Sequence, residues 1–168
     1  TPSEDMLGSD TFDYTVSDGQ GGTDVATVTI TVISPGGAVT GTSGANTLNG
    51  TSSAETIIAL AGNDTISAAA GNDVIYGGGG NDSISGGADN DTINGGAGTD
   101  TIDYSSASGA MTINLAVGTA TGEGTDSLSN IENVSGSAYA DTITGNTGAN
   151  SLTGNAGNDT LNGGAGAD

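Results

Sequence analysis

Residues 77–103 read GGGGNDSIS GGADNDTIN GGAGTDTID, three nonapeptides in succession, each opening on small residues and carrying Asp at its sixth place and Ile at its eighth. An aliphatic residue between polar seventh and ninth places, as Ile84 stands between Ser83 and Ser85, reads as a very short strand with one inward side chain. The six places before it are rich in Gly and Asn and supply a tight turn, because Gly adopts positive φ without steric cost. One nonapeptide is therefore a turn plus a strand, and two make a coil of 18 residues.

Outward from this stretch the same nine-residue spacing holds. It runs from Gly41 through GTSGANTLN, GTSSAETII, ALAGNDTIS and AAAGNDVIY to Asp103, and returns at 136 with GSAYADTIT, GNTGANSLT, GNAGNDTLN and GGAGAD. The eighth place is Leu48, Ile57, Ile66, Ile75, Ile84, Ile93 and Ile102, then Ile143, Leu152 and Leu161. Successive coils stack as parallel strands about 4.8 Å apart, with the right-handed crossovers of parallel sheets. Ile66, Ile84 and Ile102 fall on one sheet and Ile57, Ile75 and Ile93 on the other. The predicted fold is all-β: a right-handed parallel β-roll solenoid of 18-residue coils.

Charge adds a constraint. The 168 residues include twenty Asp and Glu and no Lys, Arg or His, for a net charge of -20. Such a composition with 32 glycines would ordinarily mean disorder, but the apolar residues recur at a fixed period, the mark of a repeat architecture. Without cationic side chains the chain lacks what nucleic acid or an anionic membrane surface requires, and no apolar run approaches the roughly 18 residues of a membrane span. There is no cysteine for disulfides or thiolate metal sites. With no His, Cys or Lys, acid–base or nucleophilic chemistry is left to carboxylates and Tyr. Repeat position already accounts for nearly all of the solenoid's carboxylates, so no enzymatic activity is expected.

The coil period that aligns the core also aligns the acids. Asp64, Asp82 and Asp100 fall along one edge and Asp73 and Asp91 along the other, each near its neighbour one coil away. Two carboxylates about 5 Å apart repel by roughly 3 kcal/mol at an effective dielectric near 20. A hard divalent cation between them reverses the sign. Calcium suits such a place because it accepts roughly six to eight oxygens in loose geometry, including the carbonyls a Gly-rich turn exposes.

The pattern GGxGxDxUx, present as GGAGTDTID, GGGGNDSIS and GNAGNDTLN, resembles the calcium-binding nonapeptide of repeats-in-toxin (RTX) proteins. The resemblance covers 41–168 with one interruption. It implies a parallel β-roll in which sixth-place Asp side chains ligate several Ca2+ and carbonyls of adjacent turns complete the shell. Carried over by position, Asp64, Asp73, Asp82, Asp91 and Asp100 are implied ligands, joined by Asp141, Asp159 and Asp168. Gly78, Gly80, Gly96 and Gly98 are the implied carbonyl donors. The sixth place is Asn46, Glu55 and Asn150 in three copies, where weak or empty sites are expected. Ala59-Leu60-Ala61 and Ala68-Ala69-Ala70 replace opening glycines, so this end reads as a cap with weaker metal binding. Asp89 stands at a usual Gly place and reads either as an added ligand or as a solvated carboxylate.

Residues 1–33 carry FDYTVSD and DVATVTITVI, two alternating β-branched runs joined by a turn around Gly19 to Gly22. This predicted hairpin resembles the end of a cadherin-like or bacterial Ig-like sandwich repeat. Asp10, Asp13, Asp18 and Asp24 near it read as solvated turn and edge-strand acids, with a separate calcium site as the alternative reading. Residues 34–40 read as a linker, 41–103 as the first roll block, 104–135 as irregular coils with a protruding loop near Gly118 to Gly124, and 136–168 as a truncated second block.

A start without Met and a stop on the sixth place of a further repeat read as a segment of a longer polypeptide. The function expected is a calcium-binding structural segment of a large secreted bacterial surface protein, such as an adhesin, S-layer component or extracellular fibre, folding on Ca2+ outside the cell. The alternative is the calcium-dependent C-terminal region of an RTX exoenzyme or toxin, exported by type I secretion. Coil ends present unpaired strand edges, from which contacts with neighbouring domains or identical chains are expected.

Overall fold

The computed structural model describes residues 8–17, 23–32 and 37–168, and the chain divides into two units, Thr1–Ser34 and Pro35–Asp168. The first unit holds β1 (Gly8–Ser17) and β2 (Thr23–Val32), paired antiparallel from Gly8 opposite Val32 to Ser17 opposite Thr23. This is the hairpin that the alternating runs predicted. Its turn around Gly19 to Gly22 lies outside the described residues, as do Asp18 and residues 34–36 of the expected linker.

The second unit is a stack of short strands. Its first block comprises β3 (Ala38–Thr40), β4 (Thr47–Asn49), β5 (Thr56–Ile58), β6 (Thr65–Ser67), β7 (Val74–Gly79), β8 (Ser83–Ser85), β9 (Thr92–Ala97) and β10 (Thr101–Asp103). The irregular segment adds β11 (Thr112–Asn114), β12 (Thr119–Thr121), β13 (Thr125–Ser129) and β14 (Asn133–Ser135), and the second block adds β15 (Thr142–Thr144), β16 (Ser151–Thr153) and β17 (Thr160–Asn162). They form a six-stranded sheet in the order β16-β14-β10-β8-β6-β4 and a nine-stranded sheet in the order β17-β15-β11-β12-β13-β9-β7-β5-β3. Consecutive strands of the first block alternate between the two sheets, so each coil contributes one strand to each. No helix occurs among the described residues.

Eighth-place residues set the register. Ile66 pairs with Ile84 and Ile84 with Ile102 on one sheet, while Ile57 pairs with Ile75 and Ile75 with Ile93 on the other. Ile57, Ile75, Ile84, Ile102 and Ile143 are completely buried, each contributing about 1.5–3 kcal/mol of hydrophobic stabilisation. A column of identical side chains in register is what a period of 18 produces, and a one-residue slip would turn every one of them outward.

Two sequence expectations need correction. Ala38–Thr40, inside the stretch read as linker, is a strand that pairs with β5 and places buried Val39 beside Ile57. Val39 takes an eighth-place position, but the sixth place before it is Gly37 rather than an acid or an amide, so the motif did not mark it. The loop expected to protrude near Gly118 to Gly124 is instead part of the nine-stranded sheet. β12 runs antiparallel between β11 and β13, and β13 then lies parallel on β9 with Leu128 opposite Ile93. The irregular segment thus gives three strands to one sheet and only β14 to the other, where Val134 continues the Ile84–Ile102 row.

Ile84→Ala should destabilise the folded roll by about 2–5 kcal/mol, as removal of a fully buried aliphatic does. Tyr76→Ala, at a side chain 45% exposed on β7, should shift stability by no more than about 0.5 kcal/mol. Chemical denaturation of the two variants under conditions where the roll is folded measures both.

Candidate metal centre

The turns between strands are built by backbone conformation first. In the turns 59–64, 68–73, 77–82, 86–91 and 95–100 the second and fourth places are both left-handed: Leu60 and Gly62, Ala69 and Gly71, Gly78 and Gly80, Gly87 and Asp89, Gly96 and Gly98. Leu60 and Ala69 take φ of 80° and 83° despite the cost of about 1–2 kcal/mol for a side chain in that region. The loss of opening glycines therefore leaves the turn shape intact. Neighbouring turns stack closely: a Cβ on Gly96 would strike the Gly78 carbonyl, and one on Gly98 would strike the Gly80 carbonyl. The implied carbonyl donors thus lie in columns, Gly78 with Gly96 and Gly80 with Gly98.

The sixth-place acids form the two expected columns. Oδ1 of each accepts a hydrogen bond from the backbone N–H of the sixth place one coil earlier: Asp82 from Asp64 at 2.8 Å, Asp100 from Asp82 at 2.8 Å, Asp73 from Glu55 at 2.7 Å and Asp91 from Asp73 at 2.9 Å. Asp64 accepts in the same way from Asn46 at 2.7 Å. Fifth-place Asn residues reach in the opposite direction. Asn63 Oδ1 accepts from Asn81 N–H at 2.8 Å and Asn81 Oδ1 from Thr99 N–H at 2.9 Å, while Asn72 and Asn90 do the same on the other edge, to Asn90 and Thr125. Each turn is therefore clasped to both neighbours by adjacent side chains.

One oxygen of each acid is left over. Oδ2 of Asp64, Asp73, Asp82, Asp91 and Asp100 is buried and meets no protein donor, in residues no more than 2% exposed. In three of the five turns a first-place glycine walls this atom in: a Cβ on Gly77 would lie 2.5 Å from Asp82 Oδ2, and one on Gly95 2.7 Å from Asp100 Oδ2. Folded proteins rarely leave a buried polar atom without a partner, and an ionised carboxylate is the costliest case. The available donors, one anionic oxygen per turn and stacked carbonyls, are hard-cation ligands. Among the described residues no three acidic side chains converge on one point, so a cation here draws most of its oxygens from the backbone.

Burial raises the carboxyls of Asp73, Asp82, Asp91 and Asp100, partly offset by the backbone N–H each accepts and increased again by the neighbouring acids. Asp91 is pushed up to about 7, with Asp126, Asp73 and Asp89 adding to the effect of burial.

Two column members escaped the sequence reading. Asp126, on β13, accepts from Asp91 N–H at 3.0 Å, and Glu132 accepts through Oε2 from Asp100 N–H at 2.8 Å. Both columns thus continue into the irregular segment. The signal was the sixth-to-eighth spacing Asp126-x-Leu128 and Glu132-x-Val134; TGEGTDSLS at 121–129 is a nonapeptide displaced from the main register. Asp126 differs from its predecessors, because its Oδ2 accepts from the buried Tyr104 hydroxyl at 2.7 Å. Asp89 reaches one coil back, where its Oδ2 accepts from Gly71 N–H at 3.2 Å.

In the second block, Asp159 is half-buried and accepts from Asp141 N–H at 2.9 Å, in a turn with Asn155 and Gly157 left-handed. Asp168 is exposed and accepts from Asn150 N–H at 3.0 Å. Asp141 is buried, but Ser137 N–H donates to its Oδ2 at 2.6 Å and Ser137 Oγ to its Oδ1 at 2.7 Å.

Residues 40–75, 49–84, 76–106 and 135–168 match the RTX calcium-binding nonapeptide repeat. The chain belongs to this RTX repeat family. RTX nonapeptide repeats bind Ca2+, and the leftover carboxylate oxygens fall within the matched RTX segments. Residues 1–31 match a bacterial Ig domain. No curated protein matches the sequence. RTX repeats beside a bacterial Ig domain are typical of secreted or surface proteins, so the chain is a calcium-binding repeat region of that class.

The raised carboxyls fix the sign of a pH effect. A group whose folded pKa exceeds its unfolded value contributes stability at low pH that is lost as pH rises through the folded value. Without calcium, lowering the pH from 8 to 5, through the value near 7 of Asp91 and toward the ordinary 3.8, should increase the folded population seen by circular dichroism. With calcium present the same change should weaken metal binding, because protons compete for the ligands. Opposite signs in chelator and in calcium are the expected result.

Proposed function

We propose that this chain is a calcium-stabilised structural segment of a large secreted bacterial surface protein, in which metal uptake outside the cell drives folding. The observation that carries the proposal is the row of five buried Oδ2 atoms without donors in a chain that has no cationic side chain. Asp64, Asp73, Asp82, Asp91 and Asp100 would hold Ca2+ together with turn carbonyls, those of Gly78, Gly80, Gly96 and Gly98 among them, and Asp159 and Asp168 would extend the series in the second block. Calcium supplies fixed positive charge between stacked turns; the protein's own part is to present oxygens at a constant spacing and to keep water from the carboxylates. The role is mechanical rather than catalytic, since these carboxylates are committed to coil stacking.

The bacterial Ig match immediately before the roll supports a surface protein, such as an adhesin, S-layer component or fibre, over the C-terminal region of an exoenzyme or toxin. In such a setting the exposed strand edges at the coil ends are suited to contacts with neighbouring domains or identical chains.

Circular dichroism through a calcium titration tests the proposal. The protein should lack β structure in EGTA and gain it cooperatively in millimolar calcium, with magnesium far less effective because it demands a tighter octahedral shell. A β spectrum that persists in chelator at neutral pH would refute it.

A further inference from the structure

The turns of the solenoid are of two kinds, and the division does not follow the presence of the acid. In the turns 41–46, 50–55, 136–141 and 145–150 the second-place N–H donates to the sixth-place side chain of its own turn: Thr42 to Asn46 at 2.6 Å, Thr51 to Glu55 at 2.9 Å, Ser137 to Asp141 at 2.6 Å and Asn146 to Asn150 at 2.8 Å. In the same four turns the second-place side chain accepts from the fourth-place N–H: Thr42 Oγ1 from Gly44 at 3.3 Å, Thr51 Oγ1 from Ser53 at 3.2 Å, Ser137 Oγ from Tyr139 at 3.0 Å and Asn146 Oδ1 from Gly148 at 2.8 Å. None of these second or fourth places is left-handed. In the five turns with a donorless Oδ2 both places are left-handed, which swings the second-place N–H out of that bonding pattern.

We infer that a turn whose second-place side chain accepts from its own fourth-place N–H closes on itself instead of taking calcium, and that Asp141, although it fits the motif, is not a calcium ligand in this chain. The inference rests on the calcium reading above. Two features carry it. Ser137 is completely buried and satisfies both oxygens of Asp141, so the atom that would meet a cation already has a donor. Ser or Thr at the second place also supplies the hydroxyl that accepts from the fourth-place N–H, an acceptor absent from Leu60, Ala69 and the glycines that hold the left-handed conformation of the other turns. Asn tolerates that conformation, and the two Asn cases go opposite ways: Asn146 closes its turn, whereas Asn155 has φ of 65° and turns its side-chain N–H to the Gly136 carbonyl at 2.5 Å. The turn of Asp159 is accordingly of the calcium type. The self-closed turns stand at the start of each block. There they would let the first turns of each block form before any metal is bound.

The test is an anomalous difference map from crystals of the whole chain grown in calcium and soaked in terbium, paired with calcium counts per chain for Asp82→Asn and Asp141→Asn. Peaks should appear beside Asp64, Asp73, Asp82, Asp91 and Asp100, with none in contact with Asp141. D82N should lower the calcium count, and D141N should leave it at the wild-type value. A peak on Asp141, or a count lowered by D141N in folded protein, would overturn the inference while leaving the calcium reading standing. Absence of any peak would overturn both. Should D141N fail to fold, the wild-type map still decides.

Discussion

A buried carboxylate oxygen without a donor, repeated in five successive turns of a chain that carries no positive side chain, is the constraint on which this structure turns. The other parts of each nonapeptide are satisfied from within: the eighth-place aliphatic by its column, Oδ1 of the sixth-place Asp by the preceding coil, and the fifth-place Asn oxygen by the following coil. Only Oδ2 reaches outside the polypeptide for its partner. Because the same period stacks the core and the acids, the solenoid cannot gain its apolar contacts without also bringing the carboxylates together. Hydrophobic assembly and electrostatic cost are thereby tied to one repeat length, and calcium is what separates the two signs.

Much of this was legible from spacing. The unbroken eighth place specified two sheets and which isoleucines share each, and the sixth place specified two acid columns. What escaped did so for identifiable reasons. Val39 has Gly37 where the motif carries its sixth-place acid. Asp126 and Glu132 hold column positions, but Leu128 and Val134 are only six residues apart, so the coil returns by a shortened turn that no nine-residue count would find. Asp141 is the reverse case: the motif letter is present, and a serine four residues earlier donates to both of its oxygens. Leu60 and Ala69 mark the end read as a cap with weaker metal binding, yet stacking on adjacent coils holds even these residues left-handed, as in the Gly-rich turns.

The arrangement also explains why the composition of a disordered chain yields an ordered one. A net charge of -20 opposes compaction wherever divalent cations are scarce, and the same charge becomes a store of ligands where they are plentiful. A segment of this kind suits a secreted or surface protein: on the proposed function it would stay extended while the acids are unpaired and become a stiff spacer once calcium is bound. The self-closed turns at the start of each block and the Tyr104 hydroxyl on Asp126 place protein donors at positions in the same series, which marks off where metal is needed from where it is not.

The most direct test is the dependence of unfolding free energy on calcium concentration, obtained from urea denaturation at fixed pH and ionic strength. If folding and calcium binding are one event, stability rises by about 1.4 kcal/mol per tenfold increase in calcium for each ion taken up on folding, and the slope corresponds to several ions. A stability that does not change from chelator to millimolar calcium would contradict the account.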